Sequence, residues 1–257
     1  MTIPAASLRA RIRAGETVIG TFVKTPAPHI VEVLGLSGLD FVVADREHAP
    51  INAAALDLMV MAGRAVAMPV IVRVPANEAT TIASSLDLGA AGMVVPHIGS
   101  AEEAQAALDA SKFSRGRRGF SPSPRAAGYG TEGHADFRRR SDDESIFLAQ
   151  IEDRAALDNI EAIAAIDAID ALCIGPADLA LSLGCEPADA ALAQAIDTVL
   201  AAAGRHGKPV GIFLGRGDQI AAYAVMGMSV FICGSDQSLM MAGARQLSQA
   251  AAQLRAA

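Results

Sequence analysis

Residues 39–74 read LDFVVADREHAPINAAALDLMVMAGRAVAMPVIVRV. Two short apolar runs, LDFVVAD (39–45) and PVIVRV (69–74), flank an Ala-rich amphipathic stretch at Asn52–Ala67. Neither run alternates apolar with polar residues. A strand with one wet face would alternate, so these read as strands covered on both faces, the mark of a parallel sheet. Parallel neighbours need a long crossover, and the helical stretch between the runs supplies one.

The same unit recurs in both directions along the chain. Further strand-like runs are VIGTFVK (18–24), AGMVVP (91–96), SIFLAQIE (145–152), IDALCIG (169–175), PVGIFLG (209–215) and SVFICG (229–234). Helical patterns lie at Pro28–Leu36, Asn77–Leu88 before Gly89, Arg154–Ile166, Asp189–His206, Gln219–Met226 and Ser235–Arg255. Ser100-x-x-Glu103 opens another with capping-box spacing. Eight strands alternating with helices predict an α/β fold, a single (β/α)8 TIM barrel over residues 1–257. An open doubly wound sheet is the alternative, but no G-x-G-x-x-G follows a strand. One segment breaks the rhythm. Residues 112–144 are rich in Gly, Pro and Ser and carry seven arginines. They read as a long excursion: a solvated loop, an active-site cover or a subunit contact.

With 52% apolar and 19% charged residues, the 257-residue chain is neither disordered nor short of core. Only 4% is aromatic and Trp is absent, so Ala, Val, Ile, Leu and Met must build that core. A net charge of −7 argues against nucleic acid as a partner. Cys173, Cys185 and Cys233 have no C-x-x-C spacing and read as buried thiols in a reducing compartment. The N-terminus has no apolar signal core, and no run of about 18 apolar residues spans a membrane. A cytoplasmic protein is the expectation.

Chemistry in a (β/α)8 barrel sits where strands end, and this sequence turns polar there. The second run leads into Asp45-Arg46-Glu47-His48, the third ends at Arg73 and the fourth at Pro96-His97. The fifth ends in Gln150-Ile151-Glu152 and the sixth in Gly175-Pro176-Ala177-Asp178. Glu152 and Asp178 are hard oxygen donors on neighbouring strands, which suits Mg²⁺ or Mn²⁺, with Co²⁺ a further candidate. The turn Gly175-Pro176-Ala177 leads into a helix, whose first N–H groups can hold a small carboxylate. Arg73 can steady an oxyanion, and His48, with Asp45 beside it, can act as general base. A 2-oxo acid reacting through its enolate needs this set. Each residue alone has a plainer role: a cap for Asp178, a mouth ion pair for Arg73, a structural imidazole for His48.

These residues carry a family resemblance. Phe41-Val-Val-Ala-Asp45-Arg-Glu47-His48-Ala-Pro50, Val70-Ile-Val-Arg73-Val, Val94-Val-Pro96, Ala101-Glu-Glu-Ala104, Arg118-Gly119, Arg125-Ala126-x-x-Tyr129-Gly130, Gln150-Ile-Glu152 and Gly175-Pro-Ala-Asp178-Leu179 follow one another in order. The chain resembles the class II, metal-dependent pyruvate aldolases of the 4-hydroxy-2-oxoheptanedioate and 2-dehydro-3-deoxyglucarate aldolase family over residues 15–240. The resemblance implies a barrel of the phosphoenolpyruvate/pyruvate superfamily and reversible cleavage of a 4-hydroxy-2-oxo acid to pyruvate and an aldehyde. It implies Glu152 and Asp178 as metal ligands, His48 as base assisted by Asp45, and Arg73 on the keto oxygen. Gln150, Gly175, Pro176 and Ala177 become substrate contacts, with Phe22 and Phe213 lining the pocket. It also implies a homohexamer whose last helix is exchanged between subunits. That helix carries Leu239, Met240, Met241, Ala244, Leu247 and Leu254, an apolar set too rich for a free tail. Arg46, Phe22 and His97 depart from the family pattern, which bears on the aldehyde pocket.

Three other readings remain open on the residues. A Schiff-base aldolase needs a lysine on the barrel interior; of Lys24, Lys112 and Lys208, only Lys24 ends a strand. A lyase acting on a coenzyme A thioester, of the citryl- or malyl-CoA type, also uses a metal and a barrel. A non-catalytic small-molecule binding barrel would lack an acid or base, and none is lacking.

Overall fold

A computed structural model describes residues 5–114 and 116–256. The described strands are β1 (Val18–Val23), β2 (Phe41–Asp45), β3 (Val70–Arg73), β4 (Gly92–Val95), β5 (Ile146–Ile151), β6 (Ala171–Ile174), β7 (Val210–Leu214) and β8 (Val230–Ser235). They pair in sequence order, all parallel, and close into a barrel where Val18 of β1 meets Val230 of β8.

Strand parity sorts the side chains into two cores. Phe41 and Val43, Ile71, Val94, Ile146 and Leu148, Ala171 and Cys173, and Val230 and Ile232 form the barrel interior. Their alternates, Val42 and Ala44, Val70 and Val72, Met93 and Val95, Phe147 and Ala149, Leu172 and Ile174, face the surrounding helices. Both sets are buried, which is why the runs do not alternate in polarity. The same parity carries Asp45, Arg73 and Gln150 inward at the upper end of the interior column.

The helices are α1 (Ala5–Arg13), α2 (Pro28–Gly35), α3 (Ala53–Ala65), α4 (Ala79–Asp87), α5 (Ala101–Ser111), α6 (His134–Glu144), α7 (Arg154–Asp158), α8 (Ile160–Ala164), α9 (Pro176–Leu183), α10 (Ala190–Arg205), α11 (Ile220–Val225) and α12 (Asp236–Ala256). Asn52 caps α3 by accepting the Ala55 N–H at 2.9 Å, and Ser100 caps α5 by accepting that of Glu103 at 3.2 Å. The Glu103 carboxylate accepts the Gly99 N–H, one residue ahead of the usual capping box. The helix expected over Arg154–Ile166 is two helices. Asn159 lies between them; its side-chain amide donates to the carbonyls of Gly99 and Ala155, and its own N–H also reaches the Ala155 carbonyl.

Sequence periodicity passes over α1, whose Leu8 and Ile12 are fully buried against the lower end of the barrel interior. Arg9 and Arg13 beside them pair with buried Asp170 at 3.0 Å.

The described part of residues 112–144 is largely exposed, but it is not all loop: it holds a short 3-10 turn at Arg125–Gly130 and α6. Phe113 packs edge to face on Phe120 and on Phe137, and Arg118 stacks on Phe113 while pairing with Asp87 at 2.6 Å. Lys112 ties the two ends by donating to Ser145 and to the Asp142 carbonyl. Both ends lie at the N-terminal face, since α5 runs down from the end of β4 and β5 starts there. The segment is therefore no cover over the strand ends of its own barrel.

Candidate active site

The site is built at the C-terminal ends of β2 to β6. Asp45, the last residue of β2, is fully buried. It accepts Nε of Arg73 at 3.0 Å and Nη2 at 2.7 Å, a two-pronged pair, and Lys24 Nζ stands 3.4 Å away. Burial would push its carboxyl up, but the Arg73 hydrogen bonds and charge outweigh that and hold it below the usual range. Asp45 also accepts the backbone N–H groups of Glu47 and His48. The expected contact between Asp45 and the His48 ring is not made. Asp45 serves Arg73 and the loop backbone, and the ring's nearest acid is Glu47, at 4.0 Å.

Arg73 ends β3 and is about as hidden as a core residue. Its guanidinium lies 4.6 Å from the Phe22 ring centre and 5.9 Å from that of Phe213, and its Nη1 reaches Glu47 at 3.2 Å. Phe22 and Phe213 meet edge to face at 5.2 Å. The two aromatic residues and the carboxylates hold the guanidinium in one orientation from both sides.

Gln150 and Glu152 follow from β5, both buried. The Gln150 side-chain amide donates to Glu152 Oε2, leaving Gln150 Oε1 buried without a partner. Glu152 Oε1 accepts the His97 backbone N–H at 2.9 Å. Burial pushes the Glu152 carboxyl up, more than that N–H and the His97 charge pull it down. Gly175, after β6, makes this packing possible. A Cβ there would sit 2.8 Å from Glu152 Oε2, closer than real contacts allow, and 3.1 Å from its Cβ, a tight contact. Pro176, Ala177 and Asp178 then form the first turn of α9, with Asp178 half-buried.

Two residues outside the sequence-predicted set complete the site. Ligand atoms of Glu47, His97 and Glu152 all lie within 4.8 Å of one another, the one such trio among the described residues. Of the predicted metal ligands, Glu152 belongs to this trio and Asp178 does not. Glu47 Oε2 is a further buried oxygen without a hydrogen bond. His97 is 59% exposed, and its imidazole faces Glu47, Glu152 and Asp153. Burial lowers its basicity, but the Asp153 hydrogen bond and the surrounding acids outweigh that and raise it. The signal for both residues was their place at strand ends, in Asp45-Arg46-Glu47-His48 and Pro96-His97.

Burial is graded across the site. Arg73, Gln150 and Glu152 are nearly inaccessible, whereas the side chains of His48 and His97 are more than half exposed. The residues fit a divalent cation: two carboxylates and an imidazole converge, and two neighbouring buried oxygens, on Gln150 and Glu47, accept no hydrogen bond.

This barrel, with an arginine fixed beside a cluster of candidate cation ligands, and the family to which the chain is matched together mark a carbon–carbon lyase. The chain belongs to the HpcH/HpaI aldolase/citrate lyase family, whose model matches residues 18–242. It is 34% identical over 245 residues to a 5-keto-4-deoxy-D-glucarate aldolase of Klebsiella pneumoniae, covering 94% of this chain and 95% of that protein. An HpcH/HpaI aldolase/citrate lyase family protein from Burkholderia cenocepacia superposes with a TM-score of 0.91 at 30% identity, covering 96% of this chain and 99% of that one. The citrate synthase SbnG superposes at 0.85 and 30% identity, covering 97% and 98%. No helix among the described residues is long and apolar enough to cross a membrane.

Proposed function

We propose that the chain is a divalent-metal-dependent aldolase that reversibly cleaves 4-hydroxy-2-oxo acids to pyruvate and an aldehyde. The observation that carries this reading is the Arg73 guanidinium, buried on Asp45 and Phe22 beside the Glu47–His97–Glu152 cluster. That pairing suits a reaction in which negative charge grows on a ketone oxygen. The 34% identity to a 5-keto-4-deoxy-D-glucarate aldolase supports the same reaction type and leaves the aldehyde open.

Glu152 is the acid that the sequence-predicted pair and the structural trio share; Asp178, Glu47 and His97 are the candidates that complete the donor set. A divalent cation, Mg²⁺, Mn²⁺ or Co²⁺, would supply Lewis acidity at the 2-oxo group when bound. Arg73 donates to the same oxygen as it becomes anionic. The start of α9 at Gly175-Pro176-Ala177 receives the carboxylate, and Gln150 orients it from the side. Phe22 and Phe213 wall off the reacting carbons. His48, at the open edge of the site, moves the proton: off the 4-hydroxyl in cleavage, and off the methyl of pyruvate in the reverse direction.

Assembly belongs to the same proposal. On α12, Leu239, Met240, Met241 and Leu247 are at least half exposed. The side chain of Leu254 lies outside the described residues. An apolar set of this size supports packing of α12 on a second copy, within a hexamer.

The test is an aldol assay on the full chain, run in both directions with pyruvate and an aldehyde panel. Chelation with EDTA is expected to abolish turnover, and Mn²⁺, Mg²⁺ or Co²⁺ to restore it. Full turnover in demonstrably metal-free enzyme overturns the assignment.

A further inference from the structure

His97 adopts φ +55°, a left-handed backbone conformation that few residues with a side chain take up. The two other non-glycine cases among the described residues, Ala67 and Tyr129, lie away from the strand ends of the site. The twist has two effects. It aims the His97 N–H at Glu152 Oε1, and it swings the imidazole back over the mouth of the barrel. There Nδ1 meets Asp153 Oδ2 at 2.9 Å and lies 3.5 Å from Glu152 Oε1, while Nε2 stands 3.6 Å from Glu47 Oε1.

Three acids around one imidazole disfavour a substrate carboxylate as its partner, because negative charge would meet negative charge. The arrangement suits a cation instead. With Nδ1–H donated to Asp153, the Nε2 lone pair of the neutral ring would lie on the side of Glu47. A carboxylate behind one ring nitrogen and open ligand space before the other is how proteins orient a metal-bound histidine.

We propose that His97 is a nitrogen ligand of the divalent cation, oriented by Asp153, and that it makes this site prefer a transition ion such as Co²⁺ or Mn²⁺ over Mg²⁺. Mg²⁺ is served by oxygen donors, whereas imidazole favours later first-row ions. Asp153 is the positioning residue. The inference rests on the metal-dependent aldolase reading above and refines its choice of ion.

The experiment reads metal binding directly. Metal-free full-length protein is titrated with Co²⁺ and with Mg²⁺ by calorimetry, and the stoichiometric Mn²⁺ complex is examined by pulsed EPR for a directly bonded ¹⁴N. Wild type, His97→Leu, His97→Gln and Asp153→Asn are compared, each after its melting curve confirms folding. We expect ¹⁴N coupling in wild type and its loss in both His97 variants. Co²⁺ binding is expected to weaken about 10- to 100-fold in both, with Mg²⁺ binding changed less than about threefold. Asp153→Asn is expected to keep the coupling with weakened Co²⁺ affinity. Wild type without ¹⁴N coupling overturns the proposal, as does a folded His97 variant that keeps the coupling or the Co²⁺ affinity. The two readings fail separately. Metal-dependent aldol turnover without ¹⁴N coupling removes only His97, and ¹⁴N coupling without any aldol turnover removes only the aldolase reading.

Discussion

Arg73 and His48 occupy opposite environments, and this separates their contributions. Arg73 is locked between Phe22 and Asp45, whereas the His48 ring stands in solvent with Glu47 as its nearest acid. Deuterium exchange into the methyl group of pyruvate, followed by NMR without any aldehyde, isolates enolate formation. His48→Ala is expected to slow that exchange about 10²- to 10⁴-fold and leave pyruvate binding intact. Arg73→Ala is expected to slow it by a similar factor, on the order of 3 kcal/mol, and to weaken pyruvate binding as well. Arg73→Lys should not restore the rate, because a point-like ammonium cannot pair with Asp45 through two prongs and stack on Phe22. Wild-type exchange in His48→Ala would pass the role of base elsewhere. Asp45, Arg73, Gln150 and Glu152 could be read from the chain because strand parity and strand ends are sequence properties. The work of Asp45 could not be, since its choice of Arg73 over the His48 ring is decided by side-chain directions in three dimensions. The same holds for His97, whose role comes from a backbone twist that no residue pattern announces.

Among the elements, the eight strands were legible almost to the residue, because burial on both faces leaves an unbroken apolar run. The helices were less so. The short α1 is marked by Arg at every second position from Arg9 to Arg13 and, among its described side chains, shows its apolar side through Leu8 and Ile12. The polar α6, with HADFRRRSDDE, buries little beyond Phe137 and Ser141, so periodicity fails and its surroundings read as loop. The segment that contains it holds a buried amine. Burial pushes Lys112 down to about 8, and the Arg9 charge adds to that. Its pKa is thus lower in the folded chain than in the unfolded one. Between pH 8 and 10.5 the unfolded chain binds more protons, so this group makes stability rise with pH in that window. Urea unfolding of wild type and Lys112→Met at pH 7.5 and pH 10 tests the sign. Wild type should gain on the variant as pH rises, by on the order of 2 kcal/mol. A difference that stays flat would show that the amine titrates normally.

For the whole molecule, α12 is the element least explained by a single chain. It emerges from β8 at buried Asp236, which accepts the backbone N–H groups of Lys24 and Thr25, and the side chains of Leu239, Met240, Met241 and Leu247 are at least half exposed. Light scattering of the full chain should show an oligomer, six copies in the proposed assembly. Ending the chain after Asp236 should reduce the particle mass while the barrel keeps its helical signal. A full chain that runs as a monomer would remove the helix-exchange proposal. The apolar count on that helix was readable in the sequence; its lack of partners was not, because it depends on where the helix leaves the barrel. Lastly, the burial gradient of the site reads, in kinetic language, as an order of events. In the proposed reaction the 2-oxo end of the substrate would pass the exposed histidines to reach Arg73 and Gln150, because Leu8 and Ile12 of α1 fill the opposite end of the barrel. The aldehyde half is then expected to arrive last and depart first. In the cleavage direction, pyruvate should inhibit competitively against the 4-hydroxy-2-oxo acid and the aldehyde noncompetitively, and the reverse pattern would mean that the pocket fills from the other end.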